Sequence, residues 1–268
     1  MSLFRWNVGE TPKFLGLGNY FKLFTSDPYF LKSVANTIMI MAVAIPLQVL
    51  VGLLLARLLF SDRLKGRRFF QTANYLPYIT TPVAVAILFN LMFDQKIGIV
   101  NILLVKLGIF AEGINWLAAP PAMQQGMLIL MIVWEFSGYY MLMYLAGMSS
   151  ISSDVYEAAM IDGASRFQTF MRITVPLLKN TTIFLVLTSV ISMFQLMDQP
   201  YLLMRGFGQG TIQSLEKPLM TVMVNFMDQS LTLGRFGYGG AITYGLFLII
   251  AVFSFAGIKI LGLGKEEK

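Results

Sequence analysis

From Ser33 to Ala56 the chain runs 24 residues without a charged side chain. About 20 apolar residues in a helix cross the roughly 30 Å of bilayer hydrocarbon, so this stretch alone is long enough to span a membrane. Composition supports that reading. Of 268 residues, 56% are hydrophobic and 13% charged, about half the charged share that covers an ordinary soluble domain. The expected fold class is therefore an all-α, polytopic membrane protein. Neither His nor Cys occurs. That excludes Ser–His and Cys–His nucleophiles, disulfides, and the usual zinc, haem and iron–sulfur ligand sets. The net charge of +6 reads as basic residues gathered at cytoplasmic helix ends, with no nucleic acid as partner.

Five spans are expected. Ser33–Ala56 is the first, with Pro46 as a kink. Phe69–Phe93 is the second, interrupted by Pro77 and Pro82. Met123–Met148 is the third, with Glu135 at its middle; Thr181 to Leu203 is the fourth, with Asp198 near its far end; and Phe236–Ile258 is the fifth. Residues 97–110 are apolar but too short to cross, and read as an interfacial or re-entrant helix. Residues 1–32 are expected to form an extracytoplasmic segment, the membrane-spanning body covers 33–262, and 263–268 form a tail. Basic residues set the orientation. Five of them, Arg57, Arg63, Lys65, Arg67 and Arg68, crowd the loop after the first span. That loop, the 149–180 segment and the C-terminus are therefore placed in the cytoplasm.

The segment at 149–180 carries the most information. Asp154 and Glu157 have the spacing of a helix cap with a reciprocal acid, and Gly163 is suited to end a first short helix. Ser165 starts a second helix with Phe167, Phe170, Met171 and Ile173 at helical spacing. Val175, before Pro176, is expected to stop it. Two short helices around a glycine also describe a DNA-binding unit, but this one holds only Arg166, Arg172 and Lys179 as bases and is tethered between two spans.

Glu157-Ala158-Ala159, then Asp162-Gly163-Ala164, then Phe170, Ile173 and Pro176-Leu177-Leu178 resemble the EAA loop of ABC-importer permeases. Gly16-Leu17-Gly18-Asn19-Tyr20, Ile114-Asn115-Trp116-Leu117, Phe194-Gln195, Asp198-Gln199-Pro200-Tyr201 and Gly237-Tyr238-Gly239 are similar to carbohydrate-uptake permeases, of the type related to the larger maltose permease. Gly206–Gly210 departs from the Gly-Gly-Gly-Pro run common there. The resemblance implies a type I ABC importer transmembrane domain in a bacterial or archaeal cell membrane. Its partners would be a second homologous permease subunit, a cytoplasmic ABC ATPase dimer, an extracellular solute-binding protein, a sugar substrate and membrane lipid. Glu157, Ala158, Ala159, Asp162 and Gly163 would couple to the ATPase. The chain has no G-x-x-x-x-G-K-[ST] phosphate loop, so ATP and magnesium would belong to that partner, and this subunit would be neither an enzyme nor the carrier of a cofactor or metal. In the resembling family a membrane helix precedes a segment like Phe4-Arg5-Trp6-Asn7, so the chain is expected to lack that helix.

A charge at the centre of a span costs roughly 2.5–3.5 kcal/mol even on insertion scales. Glu135 is therefore expected to face a polar pathway or a polar neighbour. Ser137, Tyr139 and Tyr140 beside it, with Gln195, Asp198 and Gln199, offer the hydroxyls, amides and aromatic faces that bind sugars. Pairing of Glu135 for assembly alone, a glycerol-phosphate substrate, and a secondary transporter using Glu135 and Asp198 are the alternatives.

Overall fold

The computed structural model describes residues 1–61, 64–205 and 217–261. The 263–268 tail and the Gly206–Gly210 departure lie outside the described residues. In chain order the elements are β1 (Phe4–Arg5), β2 (Lys13–Phe14), α1 (Gly18–Thr25), α2 (Pro28–Leu59), α3 (Arg67–Ile79), α4 (Pro82–Met92), α5 (Ile99–Lys106) and α6 (Pro121–Ser149). Then follow α7 (Ser153–Ile161), α8 (Arg166–Thr169), a π-helical turn at Phe170–Thr174, α9 (Val175–Leu177), α10 (Lys179–Phe194), α11 (Asp198–Arg205), α12 (Val222–Met227), a second π turn at Asp228–Thr232, and α13 (Phe236–Leu261).

Three of the expected spans are single helices long and apolar enough to cross: α2, α6 and α13. Helix α2 continues through Pro46 for 32 residues, about 48 Å at 1.5 Å per residue. The second expected span is two helices, α3 and α4. They are separated at Thr81, which precedes Pro82 and is extended (ψ 138°), as the proline ring demands of the residue before it. Its side chain caps α4 by accepting from the Ala84 N–H.

The fourth expected span, Thr181 to Leu203, is not one helix. It ends at Phe194, and Asp198 opens the separate α11. Pro200 accounts for the break, since in a continuous helix its ring would clash with the carbonyl four residues back, that of Leu196. That carbonyl instead accepts the Thr221 hydroxyl at 2.6 Å. Helix α10 pairs at 60° with the Arg166–Leu177 stretch before it.

The chain forms two compact units, one of Met1–Val43, Thr81–Met131 and Val190–Lys268, the other of Ala44–Thr80 and Ile132–Ser189. In the first, β1 and β2 pair with Phe4 opposite Phe14. The N-terminal segment is stitched to the start of α13 by Val8 N–H to Gly234 O (2.8 Å) and Gly237 N–H to Trp6 O (3.0 Å). Asn19 donates to the Ser2 and Phe4 carbonyls. Asn36 of α2 donates to the Lys217 and Met220 carbonyls, and Val222 N–H to the Thr37 hydroxyl. The short apolar stretch at 97–110 contains the eight-residue α5. Its buried Asn101 donates to the carbonyls of Asp94 and Ile114 and accepts from Ile114 N–H and the Trp116 indole.

The second unit is organised around the latter half of α6. Three glycines bring helices into close contact there, two of them backbone to backbone. A Cβ on Gly52 of α2 would lie 2.3 Å from the Tyr140 Cβ, one on Gly138 would lie 2.0 Å from the Asn74 carbonyl oxygen of α3, and one on Gly147 would lie 2.7 Å from the Leu178 side chain. Tyr140 and Tyr144 then bond across to Ser189 and Thr182 of α10, within a core that includes Met141, Met148 and Leu185.

Replacing Thr221 with Val removes the donor to the Leu196 carbonyl while keeping the side chain's shape. An unsatisfied buried acceptor costs about 1–3 kcal/mol. Thr221→Val is expected to lower the thermal unfolding midpoint in detergent, and Thr221→Ser to restore most of it.

Candidate functional site

The two-helix unit expected at 149–180 is present, with changes at both ends. The first helix is capped by Ser152, whose hydroxyl accepts from the Asp154 N–H at 3.3 Å. Asp154 is not the cap; it sits in the first turn, where a negative charge suits the helix dipole. The other end closes as a Schellman motif. Gly163 has φ +74°, its N–H donates to the Met160 carbonyl, and the Ala164 N–H donates to the Ala159 carbonyl. Both orphan carbonyls are thereby satisfied.

Ser165 caps the second helix in a reciprocal capping box with Gln168. This helix does not stop at Val175, whose φ −60° and ψ −47° are helical. The π turn at Phe170–Thr174 widens the backbone just before Pro176, and the helical path reaches Leu177. Thr174, in that turn, donates to the Tyr156 hydroxyl at 3.5 Å.

Ala159 is buried, while Glu157, Ala158, Asp162 and Gly163 are exposed. The tip of the unit carries large uncovered apolar side chains, with Ile161 86%, Met160 67% and Phe167 60% exposed. Behind the tip, the Arg57 guanidinium at the end of α2 lies 4.5 Å from the Phe170 ring centre and 5.4 Å from that of Phe167.

Glu135 is 2% exposed and Ser137 7% exposed, and the Ser137 hydroxyl donates to the Trp134 carbonyl. Tyr140 is wholly buried and its hydroxyl is engaged with Ser189, so its place is in the packed core. Tyr139 is half-buried and stacks on Tyr78 of α3, with ring centres 4.9 Å apart and planes 18° apart. Tyr78 also meets Phe136 edge-on and Tyr75 at 5.4 Å. This aromatic group is assembled by the Gly138–Asn74 contact. Sequence reasoning passed over Tyr75 and Tyr78; their three-residue spacing on one helix face was the available signal. It also passed over Gln48, which is buried in α2 and donates to the Ile132 carbonyl at 3.4 Å.

Gln195, Asp198 and Gln199 belong to the other unit. Gln195 and Asp198 are exposed and Gln199 is buried. Among the described residues no group of three or more acidic side chains is placed to hold a metal ion.

Residues 28–261 match the family described as binding-protein-dependent transport system inner membrane component. This chain belongs to that family. Membership decides against a secondary transporter using Glu135 and Asp198. The lactose transport system permease protein LacF of Rhizobium radiobacter is 34% identical over 92% of this chain and 80% of its own. The arabinooligosaccharides transport system permease protein AraP of Bacillus subtilis is 32% identical over the full chain and 82% of its own. A chain of a bacterial alginate ABC transporter, solved in complex with an alginate pentasaccharide-bound periplasmic protein, superposes with a TM-score of 0.79 at 22% identity, covering 91% of this chain and 82% of that one. The all-α importer fold expected from the sequence is the fold observed.

Leucine at position 138 would drive α3 away from α6 and part Tyr78 from Tyr139. Overpacking of this kind costs about 1–3 kcal/mol. A Cβ alone already meets the Asn74 carbonyl, so Gly138→Ala is itself expected to lower the unfolding midpoint and Gly138→Leu to lower it further. An unchanged midpoint for the leucine variant would count against the close approach.

Proposed function

We propose that this chain is one of two permease subunits of an ABC importer for an oligosaccharide or related sugar. In this reading it pairs with a second homologous permease subunit, receives substrate from an extracellular solute-binding protein, and is driven by a cytoplasmic ABC ATPase dimer that binds ATP and magnesium. The 149–180 unit and the C-terminus face the cytoplasm. The single observation that carries the reading is the 153–177 unit: a helix closed by a Schellman motif, held at both ends by α6 and α10, with an apolar tip left uncovered.

Such a unit suits rigid-body coupling. Ile161, Met160 and Phe167 would enter an apolar groove on the ATPase, and the Glu157 carboxylate would pair with a basic group there by a charge-assisted bond. Ala158 keeps the exposed helix face thin enough to seat, the buried Ala159 lets the helix pack closely behind that face, and Asp162 and Gly163 hold the turn. Closure of the ATPase dimer would then move α7 to α9 as one body and, through the short connections at Ser150 and Leu178, displace α6 and α10.

For the substrate, the faces of Tyr78 and Tyr139 offer a platform for the C–H side of a sugar ring, with Glu135 and Ser137 as polar neighbours on α6. Gln195, Asp198 and Gln199 are pathway residues of the other unit in the same proposal. The sugar class is supported by the names of the lactose and arabinooligosaccharide relatives.

Reconstitution of this chain with its partner permease, ATPase and binding protein tests the reading. ATP-dependent accumulation of an oligosaccharide is expected, and none without the binding protein. Glu157→Lys and Gly163→Val should abolish uptake and substrate-stimulated ATP hydrolysis while the protein remains in the membrane. At position 163 there is space for a side chain, so the valine acts through the disfavoured positive φ alone. Normal stimulated hydrolysis in both variants would end the coupling assignment. Tyr139→Ala is expected to raise the substrate concentration for half-maximal uptake about tenfold, and Glu135→Gln to slow uptake with little change in unfolding temperature. A Glu135→Gln protein that transports normally but assembles poorly would make Glu135 an assembly contact.

A further inference from the structure

A cavity of about 600 Å³ opens beneath the 153–177 unit, walled by the end of α2 on one side and by α7, α8 and the π turn on the other. Its polar lining is cationic and hydroxylic: Arg57, Arg166, Ser61, Tyr156 and Thr169. No carboxylate lines it among the described residues. The Arg57 guanidinium lies within cation–π distance of the Phe170 and Phe167 rings, which hold it at the cavity wall. A third cation, Arg67, lies 5.9 Å from the ring centre of Phe60, another wall residue. Two guanidinium groups and several hydroxyls, with no carboxylate among the described lining residues, form a site for a tetrahedral oxyanion, since Arg binds phosphate by paired, charge-assisted hydrogen bonds.

The position of the cavity narrows the source of that anion. Arg57 is the first charged residue after the uncharged run Ser33–Ala56, so it stands where hydrocarbon gives way to headgroups. Leu58 beside it is 65% exposed, and Leu64, also in the walls, is uncovered as well. An occupant with a phosphate head and an apolar body meets both halves of this lining. Basic pockets at the cytoplasmic ends of membrane helices have this character.

We infer that the cavity bounded by Arg57 and Arg166 binds the phosphodiester headgroup of an anionic phospholipid. The headgroup bridges the end of α2 to the start of α8, while an acyl chain lies along Leu58 and Leu64. Binding itself does not depend on the transport reading; only its consequence does. A bridged α2–α8 contact stiffens the coupling unit, so anionic lipid raises the stimulated ATP hydrolysis of the assembled importer.

The full chain, purified in neutral detergent, is mixed with equal amounts of phosphatidylglycerol and phosphatidylcholine, and retained lipid is counted by native mass spectrometry. Phosphatidylglycerol is expected to be retained at least about tenfold over phosphatidylcholine, the ratio that 1.4 kcal/mol of preference gives. Arg166→Gln, at an exposed position on the rim, should reduce that preference about tenfold and Arg166→Lys by much less, while the Arg57 aromatic contacts remain. Arg57→Gln should abolish it as well; because this variant also loses the aromatic contacts, the Arg166 pair is the deciding one. Equal retention of the two lipids, or undiminished preference in Arg166→Gln, overturns the proposal. So does inorganic phosphate at millimolar concentration displacing the bound lipid, since that would assign the site to a soluble anion. Retention of phosphatidylglycerol in a chain that fails to support uptake would leave the lipid site standing and refute the transport reading alone.

Discussion

Close backbone approach to α6 sets the geometry of the second unit. In lipid, neighbouring apolar surfaces gain nothing from expulsion of water, so helices associate through tight packing and interhelical hydrogen bonds, with small residues at the contact. Gly52, Gly138 and Gly147 supply that condition at three places along α6, against α2, α3 and α10. Once the backbones are this near, Tyr140 and Tyr144 reach the hydroxyls of Ser189 and Thr182, and Tyr78 falls onto Tyr139. The aromatic group and the anchoring of the 153–177 unit both follow from those contacts.

Polar groups in the apolar interior impose the second demand. A carbonyl released from a helix at membrane depth has no water to turn to. Pro200 releases the carbonyl of Leu196, and Thr221, 25 residues away in sequence, meets it. The break that proline forces is thus kept, and it places Asp198 and Gln199 at a helix start, near the helix end at Gln195. Helix termini within a membrane domain are where unpaired backbone groups concentrate, which fits the proposed role of this stretch in a solute path.

The 153–177 unit is rigid for local reasons: a hydroxyl cap, a Schellman closure and a capping box follow one another within 17 residues, from Ser152 to Gln168. Each satisfies backbone groups without help from a distant element, so the unit keeps its shape while its outer face stays uncovered. The proposed coupling role needs both properties. The Arg57 contact with Phe170 and Phe167 adds the one long-range tie from α2 described above, and that tie borders the cationic cavity.

Much of this was legible in the chain itself. Charge-free runs marked the membrane helices because burying a charge in hydrocarbon is costly wherever it falls, and that cost is local to the residue. The Gly163 turn and the Ser165 cap were legible for the same reason, since φ preference and side-chain capping act over three or four residues. The Asp154 cap was misplaced by two positions because serine and aspartate compete for the same orphan N–H groups, and only the entering chain direction chooses between them. Val175 was expected to end a helix by its preference before proline; a π turn, which no short sequence pattern announces, overrode it. The broken fourth span, the burial of Tyr140, and the meeting of Tyr78 with Tyr139 were decided by tertiary structure alone. Each depends on how near two helix backbones come or on which distant donor satisfies a carbonyl, and both are properties of pairs of segments that no single stretch of sequence contains.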